Sequence, residues 1–215
     1  MKDKISILIH GYNKNQRDMQ VLARHLEKLN HQCFLVNLPL TFKQIEYASV
    51  IFEEKFEKIL RNIDEDKKIN LIGHSTGGII IRKFLGNTKY VERIDKCILI
   101  ATPNQGSELA DMTARYFNFG TKIFKTLNSL KSDHIKKIED MKHEEIKIGA
   151  IAGNKSKSLL GKLLKGENDG RVQVNSVLHH ILDDFIILAY EHKEIHYKWD
   201  TAKLADKFIM EGTFK

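Results

Sequence analysis

Residues 69–78 read Ile69-Asn70-Leu71-Ile72-Gly73-His74-Ser75-Thr76-Gly77-Gly78, an apolar run that breaks into Gly73-x-Ser75-x-Gly77. The run has the make-up of a buried strand, and Ile79-Ile80-Ile81-Arg82-Lys83-Phe84-Leu85 behind it reads as a buried helix closed by Gly86. A strand that reverses sharply into a helix forces its turn residue into a strained backbone conformation, and only small neighbours such as Gly73 and Gly77 leave room for it. The strain lifts the Ser75 hydroxyl clear of the sheet. There it meets the amino end of a helix starting near Gly78, whose free N–H groups and dipole favour negative charge. A serine so placed reads as a nucleophile.

Similar apolar runs recur on both sides of this one. Candidate strands are Lys4–Ile9, Cys33–Val36, Ile69–Ile72, Lys96–Ala101, Ile146–Ala152 and Phe185–Leu188, and nearly continuous Ile, Val and Leu suit a parallel sheet covered on both faces. Helical stripes alternate with them: Met19, Leu22, Leu26 and Leu29 within 17–29, Phe52, Phe56, Ile59 and Ile63 within 44–63, and Leu204, Ala205 and Phe208 within 201–210. Asn30 is a stop for the first, and Gly212 lies just past the last. The alternation predicts an α/β fold, a doubly wound, mostly parallel six-stranded sheet with helices on both faces. The 215 residues fit one domain, 1–215. Residues 106–143 hold several helical patterns where one crossover helix would suffice, which predicts a helical insertion over the carboxyl ends of the strands. Apolar stripes that merely pack on the sheet would look the same.

The balance of 35 basic and 28 acidic residues gives +7, but no nucleic-acid-binding signature accompanies it, so nucleic acid is not an expected partner. No stretch is long and apolar enough for a membrane span or a secretory signal, so the expected location is cytoplasmic. Cys33 and Cys97 sit beside or within apolar runs and read as reduced core thiols.

A serine nucleophile needs a base, and the base needs an acid that fixes its tautomer. Ligands of a doubly wound sheet bind at the carboxyl ends of the strands, so the partners belong in loops that follow strands. Asp183, Asp184, His179 and His180 precede the last strand and lie at the wrong end. Asp169, in Gly166-Glu167-Asn168-Asp169-Gly170, follows a strand and is the preferred acid, with Glu167 as the alternative. His192 and His196 follow the last strand, and His192, nearer to it, is the preferred base. The order Ser75, Asp169, His192 is that of an α/β-hydrolase triad. Oxyanion donors are expected from the Thr76 N–H and, across the sharp turn allowed by Gly11, from the Tyr12 N–H. The His10 side chain is expected to order that loop.

On these motifs the chain resembles the small bacterial lipase and esterase branch of the α/β-hydrolase superfamily. Leu8-Ile9-His10-Gly11-Tyr12 and Ile72-Gly73-His74-Ser75-Thr76-Gly77-Gly78 carry the superfamily likeness. Ala101-Thr102-Pro103-Asn104-Gln105-Gly106-Ser107, Asn168-Asp169-Gly170-Arg171-Val172 and the His192 loop are similar to lipase-like members. The resemblance implies a minimal hydrolase fold without the two leading antiparallel strands of larger members. It also implies Ser75, Asp169 and His192 as triad, Tyr12 and Thr76 as oxyanion donors, a small-molecule or lipid ester as substrate, and no cofactor. A thioesterase or acyltransferase would use the same residues, and a binding protein could keep the scaffold without the chemistry. His192-x-x-x-His196 raises metal-assisted hydrolysis as a competing class, though Lys193 stands where the zinc-protease pattern has Glu. Between the fifth strand and Asp169, residues 155–166 combine Leu159, Leu160, Leu163 and Leu164 with lysines. That pattern suits weak contact with an anionic lipid surface, and equally a core-facing stripe with solvated lysines.

Overall fold

The computed structural model describes residues 4–116, 125–138 and 143–215. Six strands, β1 (Lys4–Ile9), β2 (His31–Val36), β3 (Ile69–His74), β4 (Ile94–Ile100), β5 (Lys147–Gly153) and β6 (Asp184–Leu188), form one sheet in the order β2-β1-β3-β4-β5-β6. Every neighbouring pair is parallel, with registers such as Ile9↔Val36, Ile9↔Gly73 and His74↔Ile100. Between β1 and β3 the strand order reverses. The loops that leave these two strands therefore part, and a crevice opens at their carboxyl ends.

The two-residue period of the strands sorts the core into two layers. Ile5, Ile7, Ile9, Ile69, Leu71, Cys97, Leu99, Ile148 and Ala150 face α2 (Ile45–Leu60) and α3 (Thr76–Leu85), where Phe52, Phe56 and Phe84 meet at ring centroid distances of 4.9–6.1 Å. Leu8, Ile72, Ile98, Ile100 and Ile151 face α1 (Gln20–Lys28) and the long helix Trp199–Glu211, through Leu22, Leu26, Ala202, Ala205 and Phe208. One buried polar chain crosses that second layer. Ser6 Oγ lies 2.8 Å from His31 Nδ1, and His31 Nε2 lies 2.9 Å from Asp206 Oδ1, which also pairs with Lys4.

Element ends differ from expectation for local reasons. The stretch expected as helix 17–29 begins with a 3-10 turn, Gln16–Met19, because Asn15 accepts from the Arg17 N–H, and the helix ends at Lys28, capped by Leu29 before the left-handed Asn30. α3 begins at Thr76, directly after the serine. Within 106–143, α4 (Glu108–Tyr116), α5 (Lys125–Ser129) and α6 (Ser132–Ile135) are described. Leu127, Leu130, Ile135 and Ile138 pack on the α2–α3 layer, Thr126 donates to the Lys43 carbonyl at 2.5 Å, and Gly106 turns with a positive φ against Ser132. Ile123 and Met141, apolar residues of the same stretch, lie outside the described residues, as does the side chain of Tyr116. Among the described residues no helix is long and apolar enough to cross a membrane.

Candidate active site

Ser75 stands between β3 and α3 with φ 54° and ψ −123°, a conformation that a residue with a side chain adopts only under constraint. The constraint is visible on every side. The Ser75 N–H donates to the Ile100 carbonyl at 2.8 Å, and the Ser75 carbonyl accepts from Gly78 at 3.0 Å. A Cβ at Gly77 would lie 2.3 Å from the Ile9 carbonyl oxygen, so the first turn of α3 presses directly on the backbone of β1. The same closeness brings the loop after β1 to the serine, where a Cβ at Gly11 would sit 3.0 Å from Ser75 Cβ. Tyr12 follows at once, and Thr76 opens α3 with an N–H that no helical carbonyl can reach. The buried His10 holds this loop. Its Nδ1–H donates to the Gly11 carbonyl at 2.9 Å and its Nε2 accepts from the Leu38 N–H at 3.0 Å, a neutral pattern that agrees with burial lowering its pKa.

The partners come from the far side of the sheet. Asp169 follows β5, His192 follows β6, and Gly153 at the end of β5 leaves the space they need, since a Cβ there would lie 2.9 Å from Asp169 Cβ. His192 Nε2 lies 3.1 Å from Ser75 Oγ, and His192 Nδ1 lies 2.7 Å from Asp169 Oδ2. Asp169 Oδ1 accepts from the N–H groups of Arg171 at 3.0 Å and Val172 at 2.8 Å, and its carbonyl accepts from the His192 N–H at 2.9 Å. With both carboxylate oxygens engaged, the imidazole is left one orientation. Asp169 and His192 are buried, and the serine opens onto a pocket whose wall includes Tyr12, Lys14, Asp18, Arg171, His192, Lys193 and His196. Glu167, the alternative acid, is exposed.

A second carboxylate–imidazole pair stands beside the first, and sequence reading did not find it. Asp18 Oδ2 lies 3.2 Å from His196 Nε2, and Asp18 Oδ1 takes the Tyr197 hydroxyl at 2.5 Å and the Lys14 ammonium at 3.3 Å. Burial raises the Asp18 pKa, but these donors outweigh it and hold the carboxyl well below its usual range. The Tyr197 phenol is pushed up to about 12 by burial and by that carboxylate. His196 stacks on His74 with centroids 3.8 Å apart and planes 22° apart, and His74 donates from Nε2 to the His192 carbonyl at 3.1 Å. Burial lowers both imidazole pKa values, that of His74 strongly.

Asp18, His74 and His196 each bring a donor atom within 4.8 Å of the others. Nearly parallel stacked rings aim their in-plane lone pairs side by side, whereas tetrahedral coordination needs them to converge. His192 and His196, paired in sequence as a metal motif, turn to different carboxylates.

The lipase-like motif 101–107 has a structural role. Ala101 takes φ 48° at the end of β4, Asn104 accepts from the buried Arg82 of α3 at 2.6 Å through its carbonyl, and its side chain donates to the Val177 carbonyl at 2.7 Å. Gln105 Nε2 donates to the carbonyls of Asn175 and Leu178 at 2.9 and 2.8 Å. These bonds clamp the loop after β4 to α7 (Val174–Val177), the short helix that follows the Asp169 turn.

Residues 1–183 match the model of the family described as "Putative serine esterase (DUF676)". No functionally curated protein matches the chain in sequence. Among solved structures, the fold is similar to the mature form of the Bacillus licheniformis lipase BlEst2, at TM-score 0.81 and 20% identity over 97% of this chain and 91% of that one. It is also similar to the metagenomic carboxyl esterase MGS0156, at TM-score 0.79 and 14% identity over 99% and 77%. Phospholipase PlaB from Legionella pneumophila matches at TM-score 0.61 and 18% identity over 81% of this chain and 45% of that one. The chain belongs to the DUF676 serine esterase family.

Proposed function

From that membership we propose that the chain hydrolyses carboxylic esters through an acyl-enzyme on Ser75. His192 Nε2 takes the proton from Ser75 Oγ as the oxygen attacks the ester carbonyl, and the N–H groups of Thr76 and Tyr12 receive the oxyanion. Asp169 keeps the Nδ1–H tautomer and offsets the charge on the imidazolium. The same imidazolium then protonates the departing alcohol. In the second half His192 removes a proton from water, which attacks the acyl carbon and releases the acid and the free serine. No step calls for a metal or an organic cofactor.

The observation that carries this reading is the chain of contacts from Asp169 Oδ2 through His192 to Ser75 Oγ, 2.7 and 3.1 Å. A fluorophosphonate probe should label Ser75 in the wild-type protein. Hydrolysis of p-nitrophenyl butyrate should fall by at least about 10⁴-fold in Ser75→Ala. Undiminished turnover in that variant would sink the proposal. Water as acceptor gives free acid, whereas acyl transfer gives a new ester, so product analysis in the presence of an alcohol separates the two.

A further inference from the structure

The loop between β5 and Asp169 leaves three leucines of one five-residue stretch in water. Leu159, Leu160 and Leu163 are 78, 51 and 55% exposed, while Leu164 is buried beneath them. Exposed leucines gathered on one short segment are uncommon on a soluble surface and mark a place of contact. Their outward position is held by a polar framework. Ser158 Oγ accepts from the Gly161 N–H at 3.0 Å and lies 3.2 Å from the Gly170 carbonyl oxygen, to which it donates. Asn168 Nδ2 donates to the carbonyls of Gly161 at 3.1 Å and Gly166 at 3.0 Å. A Cβ at Gly161 would lie 1.9 Å from Ser156 Oγ, so the floor of the loop is closed to side chains.

Within the leucine segment itself the charge has one sign. Residues 155–166 hold Lys155, Lys157, Lys162 and Lys165, all exposed, and no acidic residue. From this loop a groove runs between Ser158, Leu160, Asp169, Arg171, Glu191, His192 and Lys193. Arg171, His192 and Lys193 also wall the Ser75 pocket, so the two hollows adjoin. Two carboxylates line the groove, the half-buried Glu191 and the buried Asp169, the latter held by His192.

We propose that residues 155–166 dock the protein on an anionic lipid surface and that the adjoining groove leads an ester from that surface to Ser75. The leucines enter the boundary between headgroups and acyl chains, and the lysines lie against anionic headgroups. The delivery step rests on the ester-hydrolase reading, whereas the docking step stands without it.

The test is co-sedimentation of the full chain with vesicles of phosphatidylcholine, with and without about one third phosphatidylglycerol. Wild-type protein should sediment with the anionic vesicles, weakly with the neutral ones, and less as salt rises. Leu159→Ser combined with Leu163→Ser should lower the partition coefficient at least about tenfold while leaving turnover of water-soluble p-nitrophenyl butyrate unchanged. Replacing Lys157, Lys162 and Lys165 with Gln should remove the preference for the anionic vesicles. Ser75→Ala should sediment like wild type, which separates docking from catalysis. Failure of the wild type to bind anionic vesicles overturns the proposal, as does equal binding by the leucine variant. A leucine variant that instead converts a dimer to a monomer in light scattering, with no vesicle binding by either protein, assigns the surface to a second copy and overturns it too.

Discussion

Two carboxylate–imidazole pairs sit side by side at the same end of the sheet, and they differ in what lies beyond the ring. Asp169 grips His192 at 2.7 Å through one oxygen, and the opposite ring nitrogen meets Ser75 Oγ at 3.1 Å. Asp18 approaches His196 at 3.2 Å, but His196 stacks on His74, and neither of its ring nitrogens makes a hydrogen bond of regular geometry. A buried acid beside a buried histidine is therefore not in itself a catalytic device. Reactivity requires an acceptor nitrogen aimed at a hydroxyl.

The sharpest way to break this comparison is to disable each pair in turn. In the proposed reaction, Asp169→Asn should lower kcat/KM for p-nitrophenyl butyrate by about 10⁴-fold, because the wrong tautomer is then favoured. Asp18→Asn and His196→Gln should each cost less than about tenfold, since both line the Ser75 pocket but stand outside the path from Ser75 Oγ through His192 to Asp169. Equal losses in the two families would mean that both pairs move protons. Next in size, Gly77→Ala tests the packing of the Ser75 turn on β1, against which the first pair is aimed. With the Ile9 oxygen 2.3 Å from the new methyl, stability to urea should fall by about 3 kcal/mol, at the upper end for overpacking.

The pairs also predict a response to acid. Burial depresses the pKa of His74 and His196, and of His10 and His31, so the folded chain stays unprotonated where the unfolded chain gains protons. Above pH about 6.5 both states are neutral at these rings and the full stability is present. As pH falls below that value, stability is lost at up to about 1.4 kcal/mol per pH unit per histidine, until each folded pKa is reached. Urea midpoints should thus drop between pH 7.5 and 5.5, and His196→Gln should make the drop shallower. The smallest effect concerns strain: Ser75→Gly should be about 1 kcal/mol more stable than Ser75→Ala, because glycine tolerates φ 54°.

The members of the first pair were legible because each obeys a local rule. Ser75 lies in a glycine-framed turn, and Asp169 and His192 lie in loops after strands, which was enough to prefer them over Glu167 and His196. Strand and face assignment followed from Ile, Val and Leu runs that the parallel sheet buries on both sides. Asp18 was not legible. In sequence it is an acid in the first turn of a helix, the commonest place for one, and nothing in its neighbourhood points to Tyr197 or His196 far along the chain. The clamp made by Arg82, Asn104 and Gln105 is hidden for the same reason: the motif 101–107 does not show which carbonyls its side chains reach. Residues 155–166 remained ambiguous because a leucine–lysine pattern does not say which side faces water. That depended on Ser158, Asn168 and Gly161, which make the floor of the loop polar.

The order in which these parts occur along the chain has a consequence for biosynthesis. β1, β3 and α3 precede β4, β5 and β6, and the turn at Ser75 is complete once the Ile100 carbonyl at the end of β4 takes the Ser75 N–H. The imidazole that would activate this hydroxyl is translated only after β6. Until the loop after β6 is in place the serine would lack its imidazole partner, so the proposed hydrolysis would require the sheet to be built through its edge strand.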